Sequence, residues 1–158
     1  MFKALEQFEI KLENNGIILR NIHIPIKNVN GMCFSYDNNY NFSDVIVYDS
    51  IKLDNDPKKI YEVLLHEETH LEHPETMYSL DDPYYRIKQK ERKALRFISR
   101  KHIPQELLFN LIYIKKMELY EISEHLCLPE QLIQDAYNYY SNLESLINKK
   151  NNLPIDEI

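Results

Sequence analysis

The pentapeptide His66-Glu67-Glu68-Thr69-His70 constrains this chain more than any other stretch, because it lies inside a run that reads as helix. Asp56 is placed to cap the first turn, and Pro57 suits the first helical position, where its missing N–H costs nothing. The spacing predicts a helix over residues 57–72. Wound at about 100° per residue, it carries Ile60, Val63, Leu64 and Leu71 on one face and Glu62, Glu68, Thr69 and Glu72 on an opposite, outer face. Glu67 falls in the middle of the apolar stripe, with His66 and His70 along its flank. A carboxylate in that place is costly to desolvate unless a cation or a chain of waters receives it. Two imidazoles at i and i+4 project from one side of a helix and can share a tetrahedral Zn²⁺, leaving the adjacent Glu to reach a metal-bound water.

A catalytic zinc takes three protein ligands and keeps one position open. Glu91 is the candidate third ligand, 21 residues after His70 in a second predicted helix over residues 84–102. Ile87, Glu91, Ala94, Leu95 and Ile98 share one face of that helix, and Arg92, Lys93, Arg96 and Arg100 occupy the other. Glu91 therefore repeats the anomaly of Glu67, a lone carboxylate in an apolar stripe, although a salt bridge to a nearby Lys or Arg would also accommodate it. Glu72, His73, Glu75, Asp81 and Asp82 compete as ligands, being closer in sequence. Glu72 lies on the wrong side of its helix, and His73, just before Pro74, lies past the end of the periodic run. No H-x-x-G-x-x-H follows the first motif, which argues against a metzincin.

Taken together, His66-Glu67-Glu68-Thr69-His70, then Glu91-Arg92-Lys93-Ala94-Leu95-Arg96-Phe97 and Ile103-Pro104, resemble the ImmA/IrrE family of metallopeptidases of bacteria, phages and integrative elements. Glu121-Ile122-Ser123-Glu124-His125-Leu126-Cys127-Leu128 has the look of that family's C-terminal segment, and the resemblance spans roughly residues 14–140. The chain departs from the family pattern at Glu68-Thr69, Ser123 and Cys127, where members carry small or apolar residues. The resemblance implies an α+β, mainly helical, zincin-like domain with a gluzincin-like Glu as third zinc ligand. It implies a cytoplasmic endopeptidase whose substrate is a helix-turn-helix transcriptional repressor of a phage or mobile genetic element. It also implies an edge strand that pairs with the substrate, here expected at Val45, Ile46, Val47 and Tyr48. The alternative is a non-proteolytic antirepressor that binds its repressor and uses the metal structurally.

Composition bounds the rest. A chain of 158 residues with 44% hydrophobic content suits one globular domain. Cys33 and Cys127 lack any paired spacing and read as free thiols of a reducing compartment, each a small buried hydrophobe. The N-terminus has no signal-peptide core and no run approaches membrane-spanning length, so no membrane partner is expected.

Phe2 to Asn14 is helical in period and stops at Asn15-Gly16. Residues 16–26, 31–36 and 44–48 read as strands of a small N-terminal sheet, with a turn at Asp37-Asn38-Asn39. Pro104 breaks the second metal helix and opens a third, residues 105–116, apolar on most sides and expected to be buried. A helix-turn-helix pattern covers residues 117–147, jointed at Cys127-Leu128-Pro129, and the chain is expected to fray from residue 148 to 158. From Met117 to Ile147 there are six acids and no Lys or Arg, so this segment is not expected to bind nucleic acid, whose phosphates demand basic side chains. Arg86 to Lys101 instead holds eight basic residues and one acid, a solvated face or a dock for an acidic partner.

Zn²⁺ held by His66, His70 and Glu91 would bring the pKa of a bound water toward about 7, with Glu67 as general base. A neutral donor to the oxyanion is left open among Tyr84, Tyr85, His73 and His102.

Overall fold

The computed structural model describes residues 2–37, 42–79 and 81–151. Leu5, Phe8 and Leu12 recur at helical spacing and are buried along α1 (Phe2–Asn14). The helix ends where Gly16 takes φ +82°, a conformation that costs glycine nothing. Three strands follow: β1 (Ile18–Asn21), β2 (Gly31–Asp37) and β3 (Phe42–Tyr48). The helices after them are α2 (Pro57–Glu72), α3 (Tyr84–His102), α4 (Gln105–Phe109), α5 (Leu119–Leu126) and α6 (Glu130–Asn151). The class is therefore α+β and mainly helical, with the small sheet ahead of the helices, as expected.

The sheet order is β1-β3-β2, with β1 parallel and β2 antiparallel to β3. Val45, Ile46, Val47 and Tyr48 pair with Ile18–Asn21 on one side and with Gly31–Phe34 on the other. They are the central strand and offer no free edge to a substrate, contrary to expectation. The two edges are β1 and β2. The first strand is also shorter than predicted. Ile22 still donates its N–H to the Tyr48 carbonyl at 3.0 Å, and beyond it the carboxylate of Asp49 replaces strand pairing, accepting the Ile24 N–H at 2.9 Å and contacting His23 Nδ1 at 2.9 Å.

α2 begins as predicted: Pro57 follows the cap, and the Asp56 carboxylate accepts the Lys58 N–H at 2.9 Å. Ile60, Leu64 and Leu65 enter a core shared with Leu12, Ile46, Ile98, Ile122 and Ile133. The outer face assigned to Glu68 and Thr69 is wrong, because α1 and α3 cover it. Glu68 is 1% exposed and accepts from Lys11 at 2.7 Å and Lys101 at 3.2 Å. Thr69 is equally buried and donates to the Leu65 carbonyl at 2.9 Å. Glu72 does lie outside, paired with Lys101.

The third predicted helix is a short α-turn, α4, running into a π-turn at Asn110–Ile114. Leu108 and Leu111 are fully buried, but Leu107 and Ile114 are exposed, so burial covers one side of the segment and not most of it. α5 and α6 form the helix-turn-helix pair, with Cys127 left-handed at the joint. α6 remains helical to Asn151, beyond the fray point expected at residue 148; residues 152–158 and the turn residues 38 and 39 lie outside the described residues. Among the described residues, no helix is long and apolar enough to cross a membrane.

Candidate metal centre

His66 and His70 leave α2 one turn apart, and α3 lays Glu91 across them. His66 Nε2 lies 3.1 Å from His70 Nε2, Glu91 Oε2 lies 3.0 Å from His66 Nε2, and Glu91 Oε1 lies 3.6 Å from His70 Nε2. A tetrahedral zinc with ligands at about 2.0–2.1 Å would separate neighbouring donor atoms by about 3.3 Å. The observed spacings, with a different Glu91 oxygen turned to each imidazole, bracket that value. Glu91 Oε1 is buried and has no hydrogen-bond partner among the described residues, since the 3.6 Å to His70 Nε2 is too long for a hydrogen bond. An orphaned carboxylate oxygen beside two converging imidazole nitrogens is a donor set that fits a cation, and these three residues form a possible metal-binding triad.

Proton accounting fixes the second imidazole. Thr76, fully buried in the short 3₁₀ turn Pro74–Thr76, has a single hydroxyl proton. Its Oγ1 lies 2.7 Å from the His73 carbonyl, which can only accept, so the proton points there. Oγ1 also lies 2.8 Å from His70 Nδ1 and must accept from it. His70 therefore carries a proton on Nδ1, and Nε2 is the ring atom it turns toward Glu91 and His66. Such outer hydrogen bonds orient a ligand before the metal arrives.

Electrostatics follow from burial. Desolvation raises the Glu67 carboxyl above its ordinary range, and the two neighbouring histidines only partly oppose it. Desolvation also works against charge on His66, but Glu91 outweighs it and the imidazole is raised. Glu91 is partly desolvated, yet His66 first, then the nearby His70 imidazole and the Tyr78 hydroxyl, hold it far below the carboxylate range. These are the responses expected where acids and bases are packed in a cleft.

Gly31 opens β2 directly over Glu67. A Cβ there would come within 2.3 Å of Val63 Cγ1 and 3.4 Å of Glu67 Oε1, so only glycine lets the strand pass this close to α2. Cys33 follows on β2, half-buried, its thiol facing Glu67 and raised chiefly by desolvation. It belongs to the wall of the cleft, whereas a small buried hydrophobe was expected.

The structure brings together His66, Glu67, His70 and Glu91, all four singled out from the sequence. The competing ligands go elsewhere: Glu75 pairs with Lys93, Asp82 with Lys90, and His73 stacks on Phe97 with ring centroids 3.6 Å apart. Of the four candidate oxyanion donors, none lines the cleft. Tyr84 and Tyr85 are largely exposed, and His102 packs near Lys101 and Glu68. The hydroxyl at the site belongs to Tyr78, which sequence reasoning missed. Its one signal was position, in the link between the two metal helices, and that signal is faint in a chain with 12 tyrosines. Of the eight basic residues from Arg86 to Lys101, Lys90, Lys93 and Lys101 form ion pairs within the molecule, and Arg100 donates to the Tyr139 hydroxyl at 3.0 Å.

No family model, curated protein or solved structure matches the chain.

Proposed function

We propose that the protein is a zinc-dependent endopeptidase with a zincin-like arrangement. The observation that carries this reading is the convergence of His66 Nε2, His70 Nε2 and Glu91 around one point, with the buried Glu67 carboxylate beside them. Bound there, Zn²⁺ supplies a Lewis acid that acidifies water and polarises a carbonyl. Glu67, raised by burial, takes the proton of the attacking water and delivers it to the leaving amine. Tyr78, on the rim of the same cleft, donates its hydroxyl to the charge that develops on the carbonyl oxygen. β2 replaces β3 as the strand that pairs with substrate. Among the described residues no strand pairs with its outer edge, and Gly31 to Ser35 line the cleft over Glu67 and His70.

The resemblance to the ImmA/IrrE family supports a protein substrate, a helix-turn-helix repressor of a phage or mobile element, in the cytoplasm. The test mixes zinc-loaded protein with that repressor, with and without chelator, beside Glu67→Gln. Cleavage that disappears in both controls is the expected result. A stable complex without fragments would establish the non-proteolytic antirepressor instead.

A further inference from the structure

Tyr78 sits in an irregular link, yet both peptide groups that flank its Cα are held from outside. The peptide before it is gripped through the Met77 carbonyl, which accepts from the Lys90 ammonium. The peptide after it is gripped through the Ser79 N–H, which donates to Asp82 Oδ2 at 3.1 Å. That same Asp82 oxygen lies 3.6 Å from Lys90 Nζ. One ammonium therefore secures both peptides, the first directly and the second through a carboxylate. Peptide groups are planar, and a residue turns only at φ and ψ between them. With both planes fixed, the backbone of Tyr78 has no freedom left. Its ring then meets the His70 ring edge to face, with centroids 5.9 Å apart and planes at 83°. Lys90 immediately precedes Glu91 on α3, so the tether and the third candidate ligand ride on the same turn.

Resting on the endopeptidase reading, with Tyr78 as its oxyanion donor, we propose that Lys90 is the positioning residue for Tyr78. It touches no substrate and acts only by fixing where the hydroxyl stands. The bond from an ammonium to a carbonyl is charge-assisted and stronger than a neutral one. The Lys90 side chain is only 33% exposed, so water competes poorly for it. A donor held in advance needs no reorganisation as charge develops, and a donor set loose forfeits that advantage. Lys93, one turn further along α3, also reaches the link, but it pairs with the Glu75 carboxylate at 3.5 Å and fixes neither peptide beside Tyr78. Both of those side chains are well exposed, where an ion pair contributes little.

The test is a double-mutant cycle on the zinc-loaded full chain, with kcat and KM measured on the repressor that the wild type cleaves. Lys90→Met should lower kcat about 10-fold, within the loss of about 100-fold expected of Tyr78→Phe, and leave KM and zinc affinity nearly unchanged. Made in the Tyr78→Phe background, the same substitution should cost nothing further. Lys90→Arg keeps a donor to the carbonyl and should recover most of the rate, and Lys93→Met should turn over like the wild type. Position is read separately by fluorine NMR of the protein carrying 3-fluorotyrosine in place of Tyr78. Lys90→Met should move that line toward the free amino acid's, and Lys90→Arg should not. A loss that persists in full beside Tyr78→Phe, a loss carried by KM, or a rate and a fluorine line that Lys90→Met leaves intact overturns the proposal, while turnover by the wild type keeps the endopeptidase. A wild type that hydrolyses nothing, with the fluorine line displaced in Lys90→Met, sinks the endopeptidase and leaves the tether.

Discussion

Thr76→Val removes one oxygen and preserves the shape of a fully buried side chain. The His73 carbonyl loses the hydroxyl but keeps the Thr76 N–H at 2.8 Å, whether or not metal is bound, so that cost cancels from the affinity. The histidine does not cancel. Without metal, His70 in the variant can shift its proton to Nε2, toward Glu91 and His66. Zinc drives the proton back to Nδ1, where the 2.8 Å acceptor is gone. The His70 side chain is only 5% exposed, so water does not replace that acceptor. A buried donor left unsatisfied costs about 1–3 kcal/mol, which corresponds to zinc affinity weaker by roughly 5- to 150-fold. Competition against a chromophoric chelator at neutral pH reads this directly, with thermal melts of the metal-free proteins to confirm folding. Thr76→Ser keeps the oxygen and should bind zinc nearly as the wild type does. A valine variant that binds zinc normally, or a serine variant as weak as valine, would refute the proton accounting.

Four further outcomes are expected. Glu67→Gln should retain zinc in the chelator assay while losing peptide hydrolysis, because it removes the base and no ligand; hydrolysis that survives contradicts its role. Tyr78→Phe should lower kcat about 100-fold with little change in zinc affinity, measured on the cleaved repressor; an unchanged kcat removes Tyr78 from the reaction. Gly31→Ala should cost about 1–3 kcal/mol in denaturant unfolding, because the added methyl drives into Val63; a neutral result means that β2 does not pass over α2 so closely. Asp49 is held below the usual carboxylate range, first by the Ile24 N–H and then by Lys52 and His23. A depressed carboxyl stabilises the fold above its unfolded pKa and loses that contribution as pH falls through the folded value. Asp49→Asn should therefore melt lower than wild type near neutral pH, with the gap closing in acid; a gap independent of pH would contradict the assignment.

What the sequence made legible was local. α2 and α3 formed with the predicted bounds because Asp56-Pro57 and Ile103-Pro104 mark helix ends that hold almost regardless of context. The triad was legible for a similar reason, since i,i+4 spacing fixes one pair and a lone acid on an apolar face identifies the third. Strand order was not. Val45 to Tyr48 look the same in sequence at an edge or in the centre, and only pairing with both β1 and β2 decides it. The burial of Glu68 was hidden because a helical wheel assumes one covered side. Lys11 arrives from 57 residues away and Lys101 from 33, and neither can be seen from the helix itself. Thr76 and Tyr78 lie in an irregular link with no period to read, and their roles emerge only once His70 and Glu91 are in place.

The central claim concerns three side chains and one ion, and X-ray absorption at the zinc edge examines it most directly. On full-length protein reconstituted with one equivalent of zinc, the expected first shell is two imidazoles and oxygen at about 2.0–2.2 Å. In Glu91→Ala the expected shell keeps both imidazoles and binds zinc more weakly. A shell containing sulfur, fewer than two imidazoles, or a spectrum that Glu91→Ala leaves unchanged at wild-type affinity would contradict the site.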